Sequence, residues 1–337
     1  LSDWSSDVCS SDLYLDRSDG SDRNGPWAFQ LALCLLGPLF FVSYLFTILA
    51  PLPLLYLHVG TPNPRKGRIW AGIAVLIGTV LSAAVHGWLW GSLSFFLFAS
   101  LPALVLGELL IRRSGPERAI LGAVIAVLAS ASASGLLIQR TKGIEIIPTI
   151  QKTTETLIRQ SVDHLLSQPR NEASEATLEE LKALKDRPGL LMEDLPGLSA
   201  ALLLLLCSLP CIALIRWNPK GFLRRSAISR DFLRKWSSPD WLIWPALFCG
   251  AFLIFDAPYL TDIARNLLKP IVLIYFFHGM SILAFFLDSL RLRGPIRVIF
   301  YGTAVLFLTL MVVSFGFFDL WFSFRSRNRF GNREKED

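Results

Sequence analysis

His278 offers the most chemistry in this sequence, because it is an ionisable side chain placed well inside an apolar stretch. It lies nine residues after Lys269, within residues 270–287, which contain no Lys, Arg, Asp or Glu. An ionisable group deep in a membrane costs roughly 3 kcal/mol unless it is paired or hydrated, so such groups mark candidate functional sites. Tyr275 precedes His278 by one helical turn. The two residues predict either a packed hydrogen-bonding pair, which is the more common arrangement, or a step in a proton relay.

Other chemistry-bearing residues form no recognisable motif. The remaining ionisable residues of the apolar segments lie close enough to an interface to reach water, and they are His86, Glu108, Asp256, Lys269, Asp288 and Asp319. The four His show no paired metal-ligand spacing, and the sequence contains neither a phosphate-binding loop nor a nucleophile elbow. Four of the five Cys lie in apolar segments without C-x-x-C spacing, as small hydrophobic residues do. We therefore predict no catalytic residues, no metal, no cofactor and no enzymatic activity.

Apolar segments occupy about half of the chain and must position these residues. The composition is 53% hydrophobic and 18% charged, against roughly 25% charged in soluble domains. The segments are residues 31–57, 69–107, 119–139, 195–215, 241–260, 270–287 and 298–318, and the second divides into two at His86-Gly87. Long apolar segments without alternation must be helices in lipid. The fold class is therefore all-α, a polytopic transmembrane helix bundle with about eight membrane helices.

The domain organisation follows from these segments. Residues 1–13 include DWSSDVCSSDL, which reads as a translated sequencing-adapter oligonucleotide and is excluded from fold reasoning. Residues 14–30 are a polar tail, 31–325 a single transmembrane domain and 326–337 a charged tail. Between helices four and five, the polar insert 140–194 carries a helical apolar period and a capping box at Thr177 and Glu180. It predicts short amphipathic helices lying against the membrane or the bundle.

The loop at residues 218–240 mixes basic and apolar residues, as an interfacial helix does. The residues assigned to the lipid interface are Arg224, Arg225, Arg234, Lys235, Trp236 and Trp321. Basic residues at the ends of apolar segments indicate contact with the lipid bilayer and its anionic headgroups, not with nucleic acid. The loops after predicted helices one, three, five and seven are basic, which places these loops on the cytoplasmic side and both termini outside. The tail after residue 324 is basic as well, and the same rule would place it on the cytoplasmic side. The orientation of the chain therefore stays open.

The carboxyl end resembles the closing signature of a known family. The matching stretches are residues 266–268 (NLL), 275–279 (YFFHG) and 315–325 (FGFFDLWFSFR), and residues 51–53 (PLP) are similar as well. Together they resemble the YybS-like family of bacterial integral membrane proteins, domain of unknown function 2232. That family is distantly similar to the substrate-binding membrane subunits of energy-coupling-factor importers. The resemblance implies small-molecule uptake in the bacterial cytoplasmic (inner) membrane, with a separate ATPase module as partner.

The leading hypothesis is a multi-pass membrane protein that binds a small molecule for uptake. The residues proposed for the cavity in helix seven are Asn266, Tyr275, His278 and Gly279, with Asp319 and Arg325 at its mouth. The alternative is a non-catalytic membrane scaffold or assembly factor that recruits soluble partners through the basic loop 218–240. Under the first hypothesis, substitutions of the cavity residues should abolish function. Under the second, charge reversal in the basic loop should abolish it.

Overall fold

The structure is a computed structural model that describes residues 27–61, 63–143, 146–167, 189–217, 228, 231–255, 259–290, 292 and 294–325. These ranges are all-helical and contain no strand. The helices are α1 (Trp27–Val42), α2 (Pro51–Gly60), α3 (Pro64–His86), α4 (Trp88–Phe95), α5 (Leu101–Ile111), α6 (Pro116–Lys142), α7 (Ile146–Ser167), α8 (Gly189–Trp217), α9 (Phe232–Lys235), α10 (Ile243–Phe255), α11 (Leu260–Ser289), α12 (Pro295–Leu306) and α13 (Thr309–Phe322). A π-helical turn at Phe96–Ser100 joins α4 to α5.

Several of these helices are long and apolar enough to cross a membrane. In the described residues there are five such candidates, namely Pro64–His86, Trp88–Ile111, Pro116–Thr141, Met192–Trp217 and Leu260–Ser289. Helices α12 and α13 qualify only together and are bent by 91° relative to each other, so they add a sixth candidate if the pair counts as one span. The described residues therefore contain five or six candidate membrane spans.

The predicted count of eight crossings is not confirmed. The first predicted segment, residues 31–57, is broken, because α1 ends at Val42 and α2 begins at Pro51. The 16 residues of α1 and the 13 of α10 extend only about 24 and 20 Å at 1.5 Å per residue, short of a core about 30 Å thick. The segment 298–318 contains the 91° bend. Counting apolar residues detects none of these breaks.

The helical hairpin predicted at His86-Gly87 is present. Helix α3 ends at His86, and Gly87 adopts a φ of +89°, which residues with a side chain rarely adopt. The two helices then pack closely, since a Cβ on Gly78 would lie 2.0 Å from the Phe95 ring. Small residues thus let α3 and α4 approach each other closely.

The polar insert contains a helix in its first half. Helix α7 covers the predicted apolar period, and its residue Val162 is buried. The second predicted amphipathic helix, at the capping box, lies outside the described residues. The adapter-like segment, most of the polar N-terminal tail and the charged C-terminal tail lie outside them too.

Helix α11 organises the C-terminal half of the bundle. It packs against α8, α9, α10 and α13. Its apolar contacts with α10 and α13 centre on Ile271 and Tyr275. The side chains along its middle turns therefore face several neighbouring segments at once, and this arrangement brings polar residues of those segments together.

Candidate functional site

A stretch of extended backbone, residues 236–239, runs along α11 and is called the strap here. Pro239 has no N–H to donate and disfavours helical backbone at Ser238, so the chain unwinds at this point. Ser281 of α11 donates its hydroxyl to the carbonyl oxygen of Trp236 at 2.8 Å. Helix α11 thus supplies a hydrogen bond that unwound backbone needs in apolar surroundings.

The side chain of His278 joins the strap to the end of α13. Its Nδ1 lies 3.0 Å from the hydroxyl oxygen of Ser238. Its Nε2 lies 3.1 Å from Oδ2 of Asp319 and 2.8 Å from Nη2 of Arg325. The exposed fractions of the His278, Asp319 and Arg325 side chains are 6%, 11% and 18%. A buried polar cluster therefore connects three separate parts of the sequence.

Arg325 reaches this cluster because the chain reverses direction after α13. Ser323 adopts a φ of +43°, and the backbone N–H of Phe324 donates to Oδ1 of Asp319 at 2.9 Å. The guanidinium then donates through Nη1 to the carbonyl oxygen of Arg234 at 3.1 Å, and through Nη2 to Oδ2 of Asp319 at 3.3 Å. Arg325 thereby holds the end of α13 against the segment that leads into the strap.

The cluster lies midway along the uncharged part of α11. His278 is nine residues from Lys269 and ten from Asp288, or about 14 Å from each charged residue at 1.5 Å per residue. These flanking charges are paired, Lys269 with Asp194 at 2.7 Å and Asp288 with Arg234 at 3.0 Å. His278 therefore has the central position in the helix that the sequence predicts for it.

The arrangement includes the residue types of a hydrolytic triad but uses the imidazole differently. In a Ser-His-Asp triad, one imidazole nitrogen accepts the serine proton while the carboxylate holds the other N–H. Here Asp319 and Arg325 both face Nε2, and the contact from Arg325 is the shorter. When Arg325 donates to Nε2, the proton of neutral His278 is on Nδ1 and points to Ser238. In that tautomer His278 cannot take the proton of Ser238.

A cavity of about 180 Å³ borders the cluster. The polar residues that line it are Ser237, Ser238, Asp240, Tyr275, His278, Asp319 and Ser323. The rings of Tyr275 and Phe317 meet in a T-shaped contact, with ring centroids 5.3 Å apart. Two carboxylates, several hydroxyls and one imidazole therefore surround a space large enough for a small molecule.

Two glycines set the distance between α11 and α13 beside this cavity. A Cβ on Gly279 would lie 1.9 Å from the carbonyl oxygen of Val312, and one on Gly316 would lie 2.1 Å from that of Tyr275. The backbones of the two helices are thus in direct contact. Gly279, predicted as a cavity residue, acts here at the helix crossing that brings Asp319 to His278.

Asn266 lies apart from the other predicted site residues. It is 12 residues before His278, about 18 Å away along the helix. Its Oδ1 accepts the N–H of Gly197 at 2.7 Å, and its Nδ2 lies 2.8 Å from the carbonyl oxygen of Glu193 and 2.9 Å from that of Asp262. Asn266 therefore fastens α8 to α11, whereas Tyr275, His278 and Asp319 border one cavity.

The described residues of the predicted lipid interface make contacts within the protein. Arg234 pairs with Asp288 at 3.0 Å, and Trp236 donates its indole N–H to Glu117 at 2.9 Å. Lys235 lies 3.6 Å from the carboxylate of Asp231. In α13, the half-exposed Trp321 packs on neighbouring phenylalanine rings. Arg224 and Arg225 lie outside the described residues, and the assignment of this set to lipid stays a prediction.

Sequence reasoning missed Ser238 and Asp240. Both belong to the segment read as an interfacial helix, 40 or fewer residues before His278. The Ser-Ser-Pro triplet at residues 237–239 could have identified them. A proline at this position ends the helix, so the two serines before it lie in non-helical backbone.

Metal ligands are not assembled anywhere in the described part of the chain. There, no three His, Cys, Asp or Glu residues are grouped in a way that could hold a metal ion. Around His278, the guanidinium of Arg325 occupies the space beside Nε2 and Asp319. A metal ion bound to Nε2 of His278 would meet this positive charge at close range.

Comparisons with known proteins address the family of the chain. The family described as "Predicted membrane protein (DUF2232)" matches residues 28–320. No curated protein and no solved structure gives a significant match. The matched range includes all of the described helices apart from the first residue of α1 and the last two of α13, and with them the strap, His278 and Asp319. The chain therefore belongs to this family of predicted membrane proteins, domain of unknown function 2232.

Proposed function

We propose that this protein holds a small polar solute in the cavity beside the strap, as the membrane-embedded binding component of an uptake system. The observation that carries the proposal is the cluster of Ser238, His278, Asp319 and Arg325 midway along the uncharged part of α11, bordered by a cavity of about 180 Å³. Polar groups at such a position are costly and are kept where they bind or conduct something.

The unwound strap supports this proposal. Membrane transport proteins place their binding sites where helices are discontinuous, because unwound backbone and helix ends offer polar groups to a solute. A second, apolar cavity of about 280 Å³ is lined by Trp236 and Pro239 of the strap. Because the strap borders two cavities, it has room to shift when a solute enters or leaves.

Energy for uptake would come from a partner. The sequence has no phosphate-binding loop for a nucleotide, and the tautomer favoured at His278 argues against covalent chemistry. The role that we propose is therefore solute binding without enzymatic activity. The resemblance to the YybS-like family and to the membrane subunits of energy-coupling-factor importers is consistent with a separate ATPase module, in the bacterial inner membrane.

Retention of solute by the purified protein tests the proposal. Ser237 is exposed and lines the cavity, so Ser237→Phe fills the space without removing a hydrogen bond of His278. Mass spectrometry of small molecules released from protein in lipid nanodiscs should find a solute in the wild type that is absent from Ser237→Phe. The matched control, Ser199→Phe on an exposed face of α8, should keep it. Equal retention by Ser237→Phe, or no retained solute at all, would refute the proposal.

A further inference from the structure

We propose that the solute held beside the strap is a small organic cation, specifically a protonated amine. This inference rests on the proposed function, because it names the class of solute for the same cavity. It follows from the charges that line the cavity, from the hydrogen-bonding groups available there and from the aromatic ring at its wall.

The cavity lining carries two carboxylates, of which only one has a cation. Asp319 is paired with Arg325, whose Nη2 lies 3.3 Å from Oδ2. Both terminal nitrogens of Arg325 are occupied, Nη1 with the carbonyl oxygen of Arg234 and Nη2 with His278 and Asp319. Asp240 lines the same cavity and has no ion pair with any residue that the structure describes. Of the two carboxylates that line the cavity, Asp240 is therefore the one without a cation beside it in the described part of the chain.

An anionic solute is disfavoured by this lining. Two carboxylates would face it across a space of about 180 Å³, and charges repel more strongly in a protein interior than in water because the dielectric constant is lower. A cation would instead pair with Asp240, an exposed carboxylate at the edge of the cavity that has no ion-pair partner among the described residues.

The hydrogen-bonding groups favour an ammonium ion among cations. Carboxylates only accept, and the hydroxyls of Ser237 and Tyr275 accept as readily as they donate. An ammonium group offers three donors and no acceptor, so it matches a wall that is rich in acceptors. Tyr275 also borders the cavity, and an aromatic ring that turned its face to a cation would attract it.

A matched set of probes tests the inference on the full chain in lipid nanodiscs. The probes are butylammonium, 1-butanol and butyrate at equal concentrations, which share a four-carbon chain and differ in charge. We expect butylammonium alone to raise the melting temperature of the wild type, since a ligand stabilises the state that binds it. Asp240→Asn should weaken butylammonium binding at least about tenfold, as for a lost hydrogen bond to a charged group. The control Asp262→Asn changes an exposed carboxylate in the first turn of α11 and should leave binding unchanged.

Several results would overturn the inference. They are stabilisation by butanol or butyrate equal to that by butylammonium, no stabilisation by butylammonium, and unchanged butylammonium binding by Asp240→Asn. A retained solute that proves neutral or anionic would also refute the cationic class while leaving the proposed binding function intact. Failure of Ser237→Phe to displace any solute would refute the binding function itself, so the two failures are distinguishable.

Discussion

Nδ1 of His278 lies 3.0 Å from the hydroxyl oxygen of Ser238, although the two residues are 40 positions apart in the sequence. This contact joins an unwound segment to the middle of a long helix. It also fixes one side of the imidazole, so the other side is left to Asp319 and Arg325. The role of the cluster depends on which of these neighbours shares a proton with His278.

Ser238 should not react as a nucleophile. With Arg325 donating to Nε2, His278 cannot accept the serine proton, and an unactivated hydroxyl is a weak nucleophile. A fluorophosphonate probe, which labels activated serines, should therefore leave Ser238 unmodified in the wild type. Labelling that disappears in Ser238→Ala would contradict this prediction and favour an intramembrane hydrolase.

Asn266→Ala should destabilise the protein without emptying the cavity. The substitution leaves the N–H of Gly197 without its acceptor and removes the amide contacts to Glu193 and Asp262. We expect a loss of about 1–3 kcal/mol in the free energy of unfolding, measured by denaturant titration in detergent. Solute retention should match the wild type, whereas lost retention with unchanged stability would place Asn266 in the site.

Substitution of the crossing glycines should separate α11 from α13. In Gly279→Ala or Gly316→Ala the new methyl group would overlap a backbone carbonyl oxygen at about 2 Å, so we expect a loss of roughly 1–3 kcal/mol in stability. Gly302→Ala on α12 is the control, because a Cβ there meets no atom within 4 Å. Equal melting temperatures for Gly316→Ala and Gly302→Ala would show that the close helix contact is absent.

His58 should make stability depend on pH. It is 5% exposed at the end of α2, with Nε2 3.8 Å from a carboxylate oxygen of Glu108. Burial lowers the pKa of His58 below its ordinary value, the charge of Glu108 opposes this shift and that of Arg68 adds to it. The unfolded chain, with a pKa of about 6.5 at this residue, then binds the proton more tightly than the folded protein.

The contribution of His58 is therefore fully present above about pH 6.5 and is lost as the pH falls toward its lower folded value. Denaturant titrations at several pH values should show stability falling with acidity in the wild type and falling less in His58→Leu. Parallel pH profiles for the two proteins would argue that His58 is not responsible.

Most of the helical architecture was predictable because apolar length and the absence of alternation leave few alternatives in a membrane. The hairpin at His86-Gly87 followed from a glycine within a run too long for one helix, and Gly87 indeed has a positive φ. The number of crossings was not predictable in this way. Breaks such as those after Val42 and before Thr309 depend on packing that apolar counting does not register.

The candidate site was only partly predictable for a similar reason. His278 was identified by its position in an uncharged stretch, and Asp319 and Arg325 by their place at the end of the last helix. Ser238 and Asp240 were missed because their proximity to His278 arises from tertiary structure. Asn266 has a polar side chain on the same helix, but the distance along α11 keeps it from the cavity.

Water access to the cavity tests the central claim most directly. Ser237→Cys, placed in a background whose native cysteines are replaced by alanine, can be treated in membranes with a small, membrane-impermeant cationic thiol reagent applied from each side in turn. The account predicts labelling from at least one side, slowed by introducing Tyr275→Trp, which narrows the same cavity. A cysteine at position 237 that never reacts in membranes, but reacts once the protein is denatured, would mean that no solute can reach His278 and would contradict the account.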